Sequence, residues 1–156
     1  MAVTPWSADL ATATRYYEGT IDANSHPSTT EATAIWGSAY LEIYGDLASE
    51  GVTISASGSD KEFAADIEAL LTSAKVSEDA EMQTGGNVSD HTKWLLGRYR
   101  EQLDKLKDRD FAEALGASVA AKGAHPRSLA TEYPNPDQDL SDLYNPLPQW
   151  TTDSDL

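Results

Sequence analysis

A chain of 156 residues with a formal charge of -15 is long enough for one domain with a single core and too short for two comfortable ones. Twenty-two of its 62 apolar residues are alanine, so side chains able to fill a thick core are few, and thin bundles and partner surfaces are favoured. The charge keeps such a chain soluble but repels polyanions, which argues against nucleic-acid binding over the general surface. The absence of cysteine excludes disulfides, thiolate metal sites and a cysteine nucleophile.

Acidic composition has three readings that composition alone does not separate: a salt-rich source, a surface that must not hold nucleic acid, or plain solubility. Met1 to Thr12 carries neither a basic n-region nor an apolar h-region, and no apolar run reaches membrane-spanning length. The expectation is a chain neither exported by a standard signal nor inserted in a bilayer.

Residues 1–27 form a lead-in in which Ser7 is placed to cap a short helix carrying Leu10, Ala13 and Tyr17, ended by Gly19 and the cluster Asn24-Ser25-His26-Pro27. A helical domain is expected over residues 28–121. Its first helix opens at Ser28-Thr29-Thr30-Glu31, which has the form of a capping box. Ile35, Trp36, Ala39, Ile43 and Leu47 then recur at three- and four-residue steps until Gly51 stops the run. Trp36 reads as core. Val52-Thr53-Ile54 reads as a short extended piece, and residues 55–59 as a polar loop.

A second capping box is expected at Ser59-Asp60-Lys61-Glu62, opening a helix with Phe63, Ile67, Leu70, Leu71 and Ala74 inward, which runs to about Met82. Gly85-Gly86 breaks it. The third helix, capped by Ser89 or Asp90, carries Leu95, Leu96, Tyr99, Leu103 and Leu106 inward, with Glu101–Lys105 and Arg100–Asp104 spaced for ion pairs. Asp110-Phe111-Ala112-Glu113 starts a short fourth helix through Leu115 and Val119, weakened by Gly116. From Lys122 five prolines, at 126, 134, 136, 146 and 148, rule out a helix or a central strand. The fold class that results is mostly α: a small bundle of three to four helices with an extended Pro-rich C-terminal arm over residues 122–156.

Catalytic chemistry finds no foothold. His26, His91 and His125 lie far apart, and none has a partner at metal-ligand spacing. Gly85-Gly86 lacks the lysine and further glycines of a phosphate loop, and no G-x-S-x-G is present. With 26 carboxylates some acid–base pair can always be nominated, so nomination carries no information. The expectation is no enzyme, no metal and no cofactor.

Two constellations remain. Lys93, Arg98, Arg100, Lys105, Lys107 and Arg109 make the segment from 93 to 109 net +3, leaving -18 for the rest. They form either a solvated helix face or a surface that meets an acidic face of a neighbouring subunit, with Trp94 beside it as core or interface. In the arm, Leu129, Tyr133, Leu140, Leu143, Tyr144, Leu147 and Trp150 are spaced through polar sequence. They read as disordered chain, or as anchors for pockets on another subunit, with Tyr133, Leu140, Leu143, Tyr144 and Trp150 foremost.

The stretch from Ser28 to Asp108 resembles the head-to-tail adaptor, or head completion, proteins of tailed bacteriophages and related archaeal viruses. The resemblance lies in the capped start Pro27-Ser28-Thr29-Thr30-Glu31, the stripe to Leu47 and the stop at Gly51-Val52. A small-residue loop, an Ala/Leu-rich second helix, a glycine break and a third helix with Tyr99-Arg100, Leu103 and Leu106 follow in order. It covers half of the chain and departs at Asp108-Arg109-Asp110, where a glycine is expected. It implies a homo-oligomeric, dodecameric ring in the virion neck, made in the host cytoplasm and bound between the portal protein and a tail or stopper protein. DNA would pass through its lumen without specific binding. The alternative is a small helical protein-binding module, an assembly chaperone or regulator.

Overall fold

The computed structural model describes residues 4–121, and the fold is mostly α. The described residues form α1 (Leu10–Ala13), α2 (Thr29–Ser49), β1 (Val52–Thr53), α3 (Ser59–Gln83), α4 (Asp90–Lys107), α5 (Arg109–Leu115) and β2 (Ser118–Val119). The arm, with the anchors expected at Tyr133, Leu140, Leu143, Tyr144 and Trp150, lies outside the described residues.

The long helices begin and end where local chemistry dictates. Ser28 Oγ accepts the Glu31 amide and Glu31 accepts the Ser28 amide, so the expected capping box opens α2. The second expected box does not form. Gly58 is the N-cap of α3, at φ 129 and without a side-chain cap, and Ser59 is already helical. Asp60 instead turns back, accepting from the Ser55 amide and hydroxyl at 2.6 Å each, and is fully buried. At the N-terminus the cap is Asp9, not Ser7, and α1 ends at Ala13, so Tyr17 is not part of it. Ser7 stands two residues ahead of that cap, buried with its amide on Glu68.

α3 is the hub, touching α1, α2, α4 and α5. Every residue from Ile67 to Ala74 is buried, so this helix has no solvent face through two turns. On one side Ile67, Leu70, Leu71 and Ala74 join Ala39, Ile43 and Leu47 of α2 and Leu95, Tyr99, Leu103 and Leu106 of α4 in the core. The other side is polar. Glu68 accepts the Trp6 amide at 2.9 Å, the Ser7 amide at 3.2 Å and the Trp36 indole N–H, and Ser73 Oγ accepts the Tyr16 amide at 3.3 Å. A polar stripe on the hub helix thus holds the N-terminal segment in place of the β-sheet or helix bonds it lacks. Trp36, expected in the core, is half-buried because its N–H reaches this carboxylate, and Tyr40 takes the inward position, its ring tilted against that of Trp6 with centres 4.6 Å apart.

Two further departures lie at the C-terminal end. α5 stops at Gly116, φ 100, which is the left-handed residue closing the helix rather than a weak point inside it. Val119 belongs to β2, antiparallel to β1 with Val52 opposite Val119, and the Ala120 amide donates to the Gly51 carbonyl at 2.8 Å. The described chain therefore ends beside the C-terminus of α2.

Replacing Glu68 with alanine would leave three buried or half-buried N–H donors without an acceptor. We expect Glu68→Ala to cost about 3 kcal/mol, a fall in Tm of roughly 10 °C in a calorimetric scan, while unchanged stability would mean that the N-terminal segment is held by other contacts. Asp60 makes a pH-dependent contribution. Burial pulls its pKa up, but hydrogen bonds from the Ser55 hydroxyl and amide and the Lys61 amide outweigh this, and the net shift is downward. Its stabilisation is thus present above the ordinary value of 3.8 and is lost as pH falls through the lower folded value. In denaturant titrations the stability advantage of the native chain over Asp60→Asn should narrow below that pH; a gap independent of pH would contradict this assignment.

Candidate protein-binding surfaces

α4 is fixed at both of its ends, to α3 at one and to α2 at the other. Ser89 caps it through the Thr92 amide, and Glu81 near the end of α3 accepts the Ser89 amide and the Thr92 hydroxyl at 2.9 Å each. These hydrogen bonds, those of Ser89 first, hold the Glu81 carboxyl below its ordinary pKa against the opposing effect of burial. At the other end Lys107 reaches across to Asp46 of α2 at 3.2 Å. With Leu95, Tyr99, Leu103 and Leu106 inward, Lys93, Trp94, Arg100, Asp104 and Lys105 are exposed. Tyr99, driven up to about 12 by burial and then by Glu42 and Asp46, is a neutral core residue.

The basic residues of this helix are largely neutralised within the chain. Arg98 and Lys105 both contact Glu101, at 2.9 and 2.8 Å, and Lys93 contacts Asp90 at 3.3 Å. Arg109 donates to the Ala120 carbonyl at 2.7 Å. The expected Arg100–Asp104 pair is not among the ion pairs of the described residues; among these residues Arg100 makes neither an ion pair nor a side-chain hydrogen bond. Of the five residues expected at a subunit contact, Lys107 is thus engaged with α2, Arg98 and Lys105 share one acid, and Arg100 and Trp94 stand outward.

Trp94 is 54% exposed, which places it at the surface and not in the core. It edges an open groove with Arg98, Leu70, Asp66 and Tyr16. The groove is shaped by contacts that periodicity does not reveal: Asp66 accepts the Tyr16 hydroxyl at 2.6 Å and binds Arg15, whose guanidinium lies 5.1 Å from the Tyr16 ring centre. Burial, then the Asp66 hydrogen bond, raises the Tyr16 pKa. His91 stacks on Trp94 with ring centres 6.1 Å apart, and its Nε2 lies 3.1 Å from the Tyr16 carbonyl. The groove thus has aromatic edges and one carboxylate–guanidinium pair.

A second surface, which sequence reasoning missed, is the outward side of α2. Leu41 and Tyr44 are each 53% exposed there. The two acids nearest to them, Glu42 and Asp46, are drawn to the flanks by Lys75 of α3 and Lys107 of α4. The available signal was an absence: between Glu31 and Glu50 only these two residues are charged. Among the described residues no three His, Asp or Glu side chains stand together as a metal site, and no helix is long and apolar enough to cross a membrane.

Comparison with protein-family models, curated proteins and solved structures gave no match.

The two outward residues of α4 separate contact from fold. Arg100→Glu should leave thermal stability within about 0.5 kcal/mol of the native value, while joint reversal of Arg98, Arg100 and Lys105 strips Glu101 of both partners and should cost about 1 kcal/mol. Both chains should keep native helical circular dichroism; a large loss from Arg100→Glu would show that it has an intramolecular partner.

Proposed function

We propose that the chain is a structural connector subunit of a tailed virion, and not an enzyme. In this reading its helical body packs with copies of itself into a dodecameric ring at the head–tail junction. The ring sits between the portal protein and a tail or stopper protein, and DNA passes through its lumen without specific binding. The reading rests on the order of elements from Ser28 to Asp108: a capped helix, a glycine stop, a small-residue loop, an Ala-rich hub helix, a glycine break and a third helix.

Three physical features support it. An acidic wall repels the phosphate backbone, so a channel built from it releases what passes. Four large apolar side chains, Leu41, Tyr44, Met82 and Trp94, are exposed on a body otherwise rich in charge, as expected of surfaces awaiting other chains. Ring closure needs two different patches on each subunit, and the outward sides of α2 and α4 are two such patches. The second reading, a small helical module that binds one protein partner as a monomer or dimer, is favoured by the uncharged face of α2, which suits a single helical partner.

Light scattering on the full chain mixed with a portal protein from the same source should give a ring-sized complex. Deleting residues 134–156 should abolish docking and leave the helical circular dichroism intact. Persistent small species without portal affinity would replace the connector by the binding module, and docking that survives the deletion would remove the arm from the account.

A further inference from the structure

The turn from α3 into α4 holds polar groups that the fold does not use. A cavity of about 450 Å³ opens there between Tyr17, Glu18 and Gly19 of the N-terminal segment, Ser77 and Glu81 of α3 and His91 of α4. Neither lysine nor arginine lines it. Ser73, Ser77 and Glu81 stand at four-residue steps and so form one row on α3. Ser73 accepts the Tyr16 amide, and Glu81 accepts the Ser89 amide and the Thr92 hydroxyl. Ser77 between them is only 7% exposed, yet among the described residues its hydroxyl has no hydrogen-bond partner. Buried hydroxyls are normally paired. Unlike the enclosed hydroxyls of Ser7 and Thr72, this one reaches the cavity.

The two acids there also have acceptor sites to spare. A carboxylate has about four such sites, and Glu81 uses one on each oxygen. Glu18, 81% exposed, makes among the described residues only a 4.0 Å contact with His91 Nδ1. A second hollow of about 310 Å³ adjoins the first across Tyr17 and Gly19, which line both, and its other walls include Leu10, Ala11 and Ile21. Gly19 allows this division, because a Cβ there would overlap the Tyr17 ring. Spare anionic acceptors thus stand on one side of an aromatic ring and an apolar wall on the other.

We infer that this cavity binds a small organic cation, a guanidinium or ammonium group on a short alkyl stem. Glu18 and Glu81 take the charged head, and the Ser77 hydroxyl accepts one of its N–H donors. The stem passes the Tyr17 ring, whose face attracts cations, into the hollow beside Leu10 and Ile21. The volumes fall within the range of about 300–1,000 Å³ usual for small-molecule sites. A metal ion fits less well: among the described residues no three His, Asp or Glu side chains stand together. Acceptors spread around a wide cavity suit a large, weakly hydrated head, which favours guanidinium over ammonium. The cavity is open to solvent, so binding is weak, with Kd about millimolar. The site does not depend on the connector reading.

The test is an amide-resonance titration of the full chain at constant ionic strength with n-butylguanidinium, methylguanidinium and the neutral n-pentanol. n-Butylguanidinium should shift Gly19, Ser77 and Glu81 in a saturable way and bind about tenfold tighter than methylguanidinium. n-Pentanol should leave Ser77 and Glu81 in place. Glu18→Gln should weaken n-butylguanidinium about threefold, as should Ser77→Ala. Both variants should keep the native Tm, since neither side chain has a strong intramolecular partner to lose, and this separates the site from the fold. Equal shifts from potassium chloride, shifts spread over the whole acidic surface, or affinity unchanged in both variants would overturn the proposal. A blocked Arg-Leu dipeptide that bound more than about tenfold tighter than n-butylguanidinium would also overturn it, making the cavity a site for a protein segment.

Discussion

The carboxylate of Glu68 is buried in the middle of the hub helix, and the arrangement of the described body follows from how it is satisfied. A buried polar group is tolerated only when it is hydrogen-bonded, and Glu68 is so held by two backbone amides, at Trp6 and Ser7, and the indole of Trp36. Those donors come from two different parts of the chain. Satisfying one side chain therefore fixes the path of the N-terminal segment along α3 and the rotation of α2 about its own axis. Once Trp36 is turned toward Glu68, with Tyr40 buried under Trp6, the opposite sector of α2, centred on Leu41, must face outward.

The two long-range lysine pairs then decide the character of that outward sector. Lys75 and Lys107 take Glu42 and Asp46 to the flanks, so a chain with a formal charge of -15 presents one uncharged helical face. Such pairs contribute little stability at a surface. Their effect is on where charge is absent, and absence of charge is what allows an acidic body to approach a neighbour. The proposed roles in ring assembly and in partner binding both draw on this separation of acidic surface from neutral contact.

The core was legible in the sequence because it rests on periodicity. Ile43, Leu47, Ile67, Leu71, Leu95, Tyr99, Leu103 and Leu106 recur at helical steps, and each is buried. The caps at Ser28 and Ser89 were legible because their side chains act on amides within the next turn. Long-range pairing was not. Glu68 and Asp66 look like solvated acids in a sequence with 26 carboxylates, and only tertiary packing gives them partners 62 and 50 residues away. The Ser59 box failed because α3 starts one residue early, with Gly58 as its N-cap and Ser59 already helical. Val119 was read into a helix because its pairing with Val52 is 67 positions distant and two residues long. The basic stretch of α4 was read as either a solvated face or a surface for neighbours, and its contacts with acids and a carbonyl of the same chain were not legible in it.

The central claim is that this body associates with other chains through uncharged faces rather than through its charges, and salt separates the two. Apolar contact is insensitive to ionic strength or strengthened by it, whereas contact between oppositely charged surfaces is screened within about 3 Å at 1 M. Sedimentation velocity of the full chain over a wide concentration range, in low and in high salt, measures this directly. The account predicts a sedimentation coefficient that rises with concentration and does so at least as strongly in high salt. A coefficient flat at every concentration, or a rise abolished by salt, would contradict it.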